Sequence, residues 1–312
     1  YFFLDKIIKE TKSKFKLSDF LIYVLLATVC DVMPLRKFNK MIASSIIRNF
    51  KLENNIVFKN IFDQLNLKKK FTIDDLGFLI GPILNSGGRL GFSNYGTELL
   101  ASNDLNIIKK KTTQLINLNN KRKKMENNNF KEIDFIKISN ENKNVIIYHN
   151  NNIHEGLIGI IASRLKDFFN KPSIVLTKSN KILKASARST KNYNISKIIK
   201  LLIDKKIIEK GGGHNMAAGF SIKERNLELL DDFIQKDYLR INKNFKLVFE
   251  YDTEIPALAI NRSLYNEINK LGPFGNENTQ PIFLIRDVKI IRSRLVNERH
   301  INSIIKPKSD LQ

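Results

Sequence analysis

The sequence predicts an α/β protein of more than one domain, and three observations carry that expectation. The first 100 residues read as helix upon helix. Between Val145 and Tyr238, short strand-like runs alternate with helical segments, the order of a layered α/β domain. From Lys246 onward the apolar runs are short and strand-like, as in a small β domain.

Taken in order, Tyr1 rather than Met opens an apparent helix with no leader before it, so processing or truncation is expected at that end. Ser18 is placed to N-cap an apolar helix from Asp19 to Cys30, hydrophobic nearly all round and therefore buried. Thr72 followed by Asp75 reads as a capping box opening Ile73 to Ile80. Gly81-Pro82 is expected to interrupt that run, and Ser86-Gly87-Gly88 to form a flexible turn. The Lys- and Asn-rich stretch from Leu105 to Ile138 is expected as a long exposed helix, its Asn-rich part equally readable as loop. The basic run Lys121 to Lys124 fits a solvated face or a contact to DNA.

Beyond it, strands are expected at Val145–Tyr148, Ser173–Leu176, Ile182–Ala187 and Ala217–Ile222. Helices are expected at Gly156–Phe169, Ile195–Ile203 and Leu227–Tyr238. In the tail, Leu247–Tyr251, Ile282–Ile285 and Val288–Ile291 read as strands, with a short helix Ser263–Leu271 before the turn Gly272-Pro273-Phe274-Gly275. No internal repeat is visible.

Composition sets outer bounds. A chain of 312 residues has room for two or three domains. With 42% hydrophobic and 27% charged residues it reads as globular rather than disordered. The longest apolar run, Phe20 to Cys30, falls short of the roughly 20 residues needed to cross a bilayer. Cys30 is the only cysteine, which excludes an internal disulfide and a cysteine-cluster zinc site. No membrane association and a cytoplasmic location are expected. Lys and Arg number 53 against 31 Asp and Glu, a formal charge of +22, which attracts polyanions. Lys, Asn and Ile are heavily used throughout, so the charge permits nucleic-acid binding without establishing it.

Five constellations carry possible chemistry. Gly211-Gly212-Gly213-His214 places three glycines where backbone N–H groups can converge on a phosphate. His214 can donate to a phosphate oxygen or exchange protons near neutral pH. A flexible glycine turn capped by His214 fits the same residues. Ser186 and Arg188, two apart on a strand, share a face and can clamp an anion between hydroxyl and guanidinium, although an ordinary surface arginine would look the same. Arg89 stands in the glycine-rich stretch Asn85 to Gly91, which suits phosphate. Asp31 ends an apolar helix just before Pro34, as a metal-binding carboxylate or a simple turn cap. His154, ahead of the helix Gly156–Phe169, can face an anion or merely start the helix.

In this order the segments resemble the RecJ family of the DHH phosphoesterase superfamily. The matching stretches are LLATVCDVMPL (25–35), LNSGGRLG (84–91), HEGLIGIIASRL (154–165), KASARS (184–189) and GGGHNMAAGFSI (211–222), and LGPFGNENTQPIF (271–283) resembles the start of the family's OB-fold domain. The resemblance implies the C-terminal part of a DHH phosphoesterase domain over 1–102, a connecting helix over 103–140, and a DHH-associated α/β domain over 141–240. It further implies an OB-like nucleic-acid-binding domain over 245–312.

The activity implied is a 5′-to-3′ exonuclease on single-stranded DNA in repair and recombination, using two Mn²⁺ or Mg²⁺ ions. Asp31 matches the last metal-binding aspartate; the others, with a DHH triplet, lie upstream of Tyr1 in the family, so the chain alone is expected to lack a competent metal site. By the same resemblance Arg89, Ser186 and Arg188 hold DNA phosphates, with His154 a weaker carry-over. Gly211, Gly212, Gly213 and His214 would line the scissile-phosphate side, with His214 catalytic beside Asp31. A monomer is expected, with single-stranded DNA, a helicase and a single-strand-binding protein as partners.

The sequence departs from the pattern at Ser86 and Gly87, at Ala185 and at Asn215, none of which removes a named polar group. Two other readings stand beside this one. A DHH phosphodiesterase of short oligoribonucleotides or cyclic dinucleotides would share the GGGH-bearing domain but usually ends after it. A non-catalytic single-strand-binding module would bind in a salt-dependent way without cleavage.

Overall fold

The computed structural model describes residues 2–12, 14, 16–243, 248–296 and 300–307. The chain divides into two compact units: residues up to Gly81 together with the C-terminal segment, and a second unit from Pro82 onward. In chain order the α-helices are α1 (Phe2–Thr11), α2 (Leu21–Cys30), α3 (Lys37–Asn49), α4 (Ile56–Gln64), α5 (Ile73–Asp75), α6 (Gly81–Arg89), α7 (Tyr95–Ala101), α8 (Leu105–Lys131), α9 (Phe135–Asn140), α10 (Ile158–Phe169), α11 (Ile195–Asp204), α12 (Leu227–Ile241) and α13 (Arg262–Lys270). The strands are β1 (Ile146–His149), β2 (Ser173–Ser179), β3 (Ile182–Arg188), β4 (Lys210–His214), β5 (Ala217–Ile222), β6 (Thr253–Glu254), β7 (Phe283–Leu284), β8 (Val288–Val296) and β9 (His300–Pro307). The α/β class read from the sequence is the class observed. Among the described residues no helix is long and apolar enough to cross a membrane.

In the first unit α2 is as apolar as its sequence demands, and Leu25 is fully buried, as are Phe58 and Ile61 of α4. Ser18 does not cap α2: a 3-10 turn, Leu17–Phe20, precedes the helix, and Ser18 instead donates to its neighbour Asp19 at 3.3 Å. Asp19 is drawn into that turn, which displaces the helix start past the expected cap. The Thr72–Asp75 capping box is present, the buried Asp75 carboxylate accepting from the Thr72 N–H at 2.9 Å and from its hydroxyl at 3.0 Å.

The breaks expected after it are absent. A π turn, Leu76–Ile80, runs into α6, which continues through Gly81, Pro82, Ser86, Gly87 and Gly88 to Arg89. Pro82 falls in the first turn of α6, where a missing N–H is tolerated. A Cβ on Gly81 would lie 2.6 Å from Cys30 Sγ, and one on Gly87 2.5 Å from the Phe92 carbonyl oxygen. These glycines answer close approach, not flexibility.

In the C-terminal segment β6 pairs in parallel with β7, and β8 pairs antiparallel with β9 through a bulge at Ile290/Arg292. Of the strand expected at Leu247–Tyr251, Leu247 lies outside the described residues, and Val248 to Tyr251 form no strand.

The second unit centres on a five-stranded sheet in the order β1-β2-β3-β5-β4, with β1 and β2 parallel and the remaining pairs antiparallel. Alternation along β2 sends Ile174 and Leu176 into a core with α11 and α12, and Val175 into a second core with α10. Burial on both faces explains why β2 reads as an unbroken apolar run. Each such side chain stabilises by about 1.5–3 kcal/mol relative to exposure.

The Asn-rich stretch is helical through to Lys131. Asp104 caps α8 by accepting from Asn106 N and Ile107 N, and Ile108, Thr112, Leu115 and Asn119 form its buried stripe at spacings of three and four. One stripe suffices to hold a helix whose other faces are polar.

Gly211 to Gly213 are not a turn. They form the edge strand β4, paired residue by residue with β5 from Lys210↔Ser221 to His214↔Ala217. Extended backbone alternates its N–H groups, so these amides do not converge on one point as expected from the sequence.

Candidate nucleic-acid interface

The sheet register assembles Ser186, Arg188, Gly212 and His214 on one face of the second unit. β3 buries Leu183, Ala185 and Ala187 in the α11 and α12 core, which turns Lys184, Ser186 and Arg188 to the opposite face. Pairing through β5 to β4 then generates three cross-strand rows: Lys184–Ser221–Lys210, Ser186–Gly219–Gly212 and Arg188–Ala217–His214. Each row opens with a polar or cationic side chain on β3. The middle row continues as two glycines, a flat stretch of backbone. A Cβ on Gly212 would meet nothing within 4 Å, so its surface is open.

Gly211 and Gly213 point the other way and are glycines for packing. A Cβ on Gly211 would sit 2.7 Å from Phe220 Cβ, and one on Gly213 would sit 2.3 Å from the Ala217 carbonyl oxygen.

Two segments close over this face. Arg89, the last residue of α6, donates from Nη1 to the Gly156 carbonyl at 3.1 Å. At the start of α10, Gly159 leaves room for β3 side chains: a Cβ there would be 3.0 Å from Arg188 Nη2 and 3.1 Å from Ser186 Oγ. Arg188 donates from Nη1 to Ser186 Oγ at 3.1 Å and to the Ala187 carbonyl at 2.9 Å, so hydroxyl and guanidinium are already joined. The resulting cleft has a volume of about 670 Å³, and its walls include Arg89, Gly156, Ser186, Arg188, Lys210 and Gly212. Its one carboxylate, Glu155, accepts from Ser179 Oγ at 3.0 Å and lies 3.7 Å from Lys184 Nζ.

Burial lowers the pKa of Arg89, and the nearby Arg122 and Arg188 cations lower it further against the opposing pull of Glu126. Burial likewise lowers that of Arg188. Guanidinium groups remain charged regardless. The shifts therefore report burial first, with repulsion from neighbouring arginines added at Arg89.

His214 is exposed and lies in the same row as Arg188, across β5. His154 caps the 3-10 turn Glu155–Leu157, its Nδ1 accepting from the Gly156 N–H at 3.1 Å. Asp31 belongs to the first unit, as the exposed C-cap of α2. Among the described residues no group of three or more His, Cys, Asp or Glu side chains could hold a metal ion. Hard divalent cations take about six or more oxygen ligands, and the Asp31 carboxylate offers at most two oxygens. The described residues do not make a metal site by themselves.

Sequence reasoning missed Gly159 and an ion-pair group behind Arg89. Glu126 accepts from Arg122 at 2.9 Å and from Arg164 at 3.3 Å, while Arg164 also lies 3.7 Å from the Phe130 ring centre. Of the basic run on α8, Arg122 is thus taken into a partly buried pair, and Lys121, Lys123 and Lys124 are exposed. A glycine inside an apolar helical pattern, Ile158-Gly159-Ile160, was the available signal for close approach.

Two family models match the chain. Residues 142–238 match the DHHA1 domain and residues 251–311 match the RecJ OB domain. The single-stranded-DNA-specific exonuclease RecJ of Haemophilus influenzae is 29% identical over 96% of this chain and 54% of its own length. That of Salmonella typhimurium is 30% identical over 93% of this chain and 52% of its own length. The chain therefore spans about half the length of these curated relatives. The crystal structure of RecJ from Thermus thermophilus in complex with Mn²⁺ matches with a TM-score of 0.77 at 20% identity, covering 92% of this chain and 43% of that one. Its complex with Mg²⁺ matches at 0.75 and 21%, covering 92% and 45%. At that identity the match establishes a shared fold.

Proposed function

We propose that this chain, which belongs to the RecJ family, supplies the surface that seats the sugar-phosphate backbone of a single DNA strand in a 5′-to-3′ exonuclease. The observation that carries this reading is the alignment of Ser186 and Arg188 with the open backbone of Gly212 and Gly219, roofed by Arg89. The Arg188 fork and the Ser186 hydroxyl together offer donors to two oxygens of one phosphate. Their existing hydrogen bond holds them in register before the strand arrives. Arg89 adds a second cation, and the bare glycine row lets the backbone come close without a side chain in the way. A terminal phosphate carries more charge than an internal one, so this cluster favours the 5′ end.

His214, across Ala217 from Arg188 in the same row, is read as a partner that exchanges a proton or a hydrogen bond with the same backbone. Asp31 is read as one ligand of a divalent cation, Mn²⁺ or Mg²⁺, whose bound form supplies an activated water and stabilises a leaving oxygen. The remaining ligands would come from outside the described residues, and the hydrolytic step lies with them. The match of residues 251–311 to the RecJ OB domain favours this reading over a phosphodiesterase of short oligoribonucleotides or cyclic dinucleotides, and adds a second nucleic-acid-binding surface. A role in repair and recombination, beside a helicase and a single-strand-binding protein, follows from the same reading.

The test is binding of the full chain to short single-stranded DNA bearing either a 5′ phosphate or a 5′ hydroxyl, at two salt concentrations. The expected result is a preference for the phosphate that Arg188→Ala abolishes. Equal, steeply salt-dependent binding to both ends would overturn the reading, because it reports a general excess of lysine.

A further inference from the structure

The Asp31 carboxylate leaves α2 through an unusual turn. Val32 N–H bonds to the Val29 carbonyl at 3.1 Å, and Met33 N–H to the Thr28 carbonyl at 2.9 Å, a Schellman closure of the helix. Such closures put the residue after the cap in the left-handed region, where glycine is the usual choice. In this chain that residue is Val32, at φ 53°. A β-branched side chain is a genuine outlier there, and such strain persists only where the surroundings over-determine the backbone.

The surroundings are the turn after α13. Asn276 donates from Nδ2 to the Val32 carbonyl at 2.7 Å, and its own carbonyl accepts from the Leu35 N–H at 2.7 Å. Arg36 Nε reaches both the carbonyl and the carboxylate of Glu277, at 3.2 and 3.1 Å. Lys40 Nζ donates to Asn278 Oδ1 at 3.0 Å. Gly275 packs on the buried Leu35, where an added Cβ would lie 3.2 Å from Leu35 Cδ2. Residues some 240 positions later in the chain therefore grip each end of the Asp31–Leu35 turn.

We propose that Asn276 is a positioning residue for Asp31: by holding the Val32 carbonyl it stabilises the strained turn and so fixes the direction of the Asp31 carboxylate. This rests on the reading of Asp31 as a metal ligand. The tail then has a second duty beside nucleic-acid binding. It braces a turn that lies near the other end of the described chain.

The experiment uses the full chain, with amide exchange at Met33 and Leu35 and with the side-chain rotamer of Asp31 read from its three-bond couplings. Asn276→Ala is expected to speed exchange at Met33 and Leu35 about tenfold, as for loss of one hydrogen bond, and to leave Leu25 and Leu26 of α2 unchanged. Adding Val32→Gly to Asn276→Ala is expected to restore slow exchange at Met33, because glycine adopts the turn without strain. The Asp31 couplings should show one dominant rotamer in the wild type, averaging in Asn276→Ala and one rotamer again in the double variant. Unchanged exchange, or the same Asp31 couplings in the wild type and Asn276→Ala, overturns the positioning role. Both readouts are taken without metal, so they stand or fall apart from the reading of Asp31 as a ligand.

Discussion

Gly156 and Arg89 hold one another at close range: Arg89 Nη1 donates to the Gly156 carbonyl at 3.1 Å, while a Cβ on Gly156 would fall 2.1 Å from the Arg89 carbonyl oxygen. No side chain fits between these backbones. Gly156→Ala is therefore expected to push the end of α6 away from α10, at a cost of about 1–3 kcal/mol. A fall in thermal midpoint, with weaker binding of 5′-phosphorylated single strands, is the expected result. An unchanged midpoint and affinity would show that the two segments are not held together in solution.

Gly159 separates stability from binding. An added methyl at this position meets the flexible end of Arg188 and the Ser186 hydroxyl, at 3.0 and 3.1 Å, rather than backbone. Both side chains can swing aside, so Gly159→Ala is expected to change the thermal midpoint little. The preference for a 5′ phosphate should drop about tenfold, equivalent to about 1.4 kcal/mol. Titration of phosphorylated against unphosphorylated oligonucleotides measures it, and a retained preference would remove Ser186 and Arg188 from the seat.

Tyr193 gives the second unit an alkaline limit. Its ring is fully buried and its hydroxyl donates to Asp237 Oδ2 at 3.3 Å. Burial, reinforced by the Asp237 carboxylate, pushes its pKa well above the ordinary phenol value. The folded state then keeps a proton that the unfolded chain releases from about pH 10 upward. This contribution is complete below that pH and declines as pH rises, with a slope of about 1.4 kcal/mol per pH unit. Denaturant titrations from pH 9 to 11 should show the decline, and Tyr193→Phe should flatten it while lowering stability at pH 7.

Much of the second unit was legible because its signals are local. The strands at Ile182 and Ala217 begin at the expected residues, and alternation alone put Ser186 and Arg188 on one face. The glycines misled for one reason throughout. Gly81, Gly87, Gly211 and Gly213 look like flexibility in one dimension, yet each is required by an atom elsewhere: Cys30 Sγ, the Phe92 carbonyl, Phe220 Cβ and the Ala217 carbonyl. A glycine that frees a turn and a glycine that admits a neighbour are the same letter.

What the sequence determined by itself was the order of elements, the buried faces, the positive charge and the identity of the motif residues. Each follows from periodicity, composition or spacing along the chain. The tertiary structure alone decided that GGGH is an edge strand, that Arg188 and His214 share a row, and that Asn276 reaches Val32 across 244 positions. The reason is physical. Helical and strand periods depend on neighbours within a few residues, whereas a row across a sheet or a grip on a distant turn depends on the path of the whole chain.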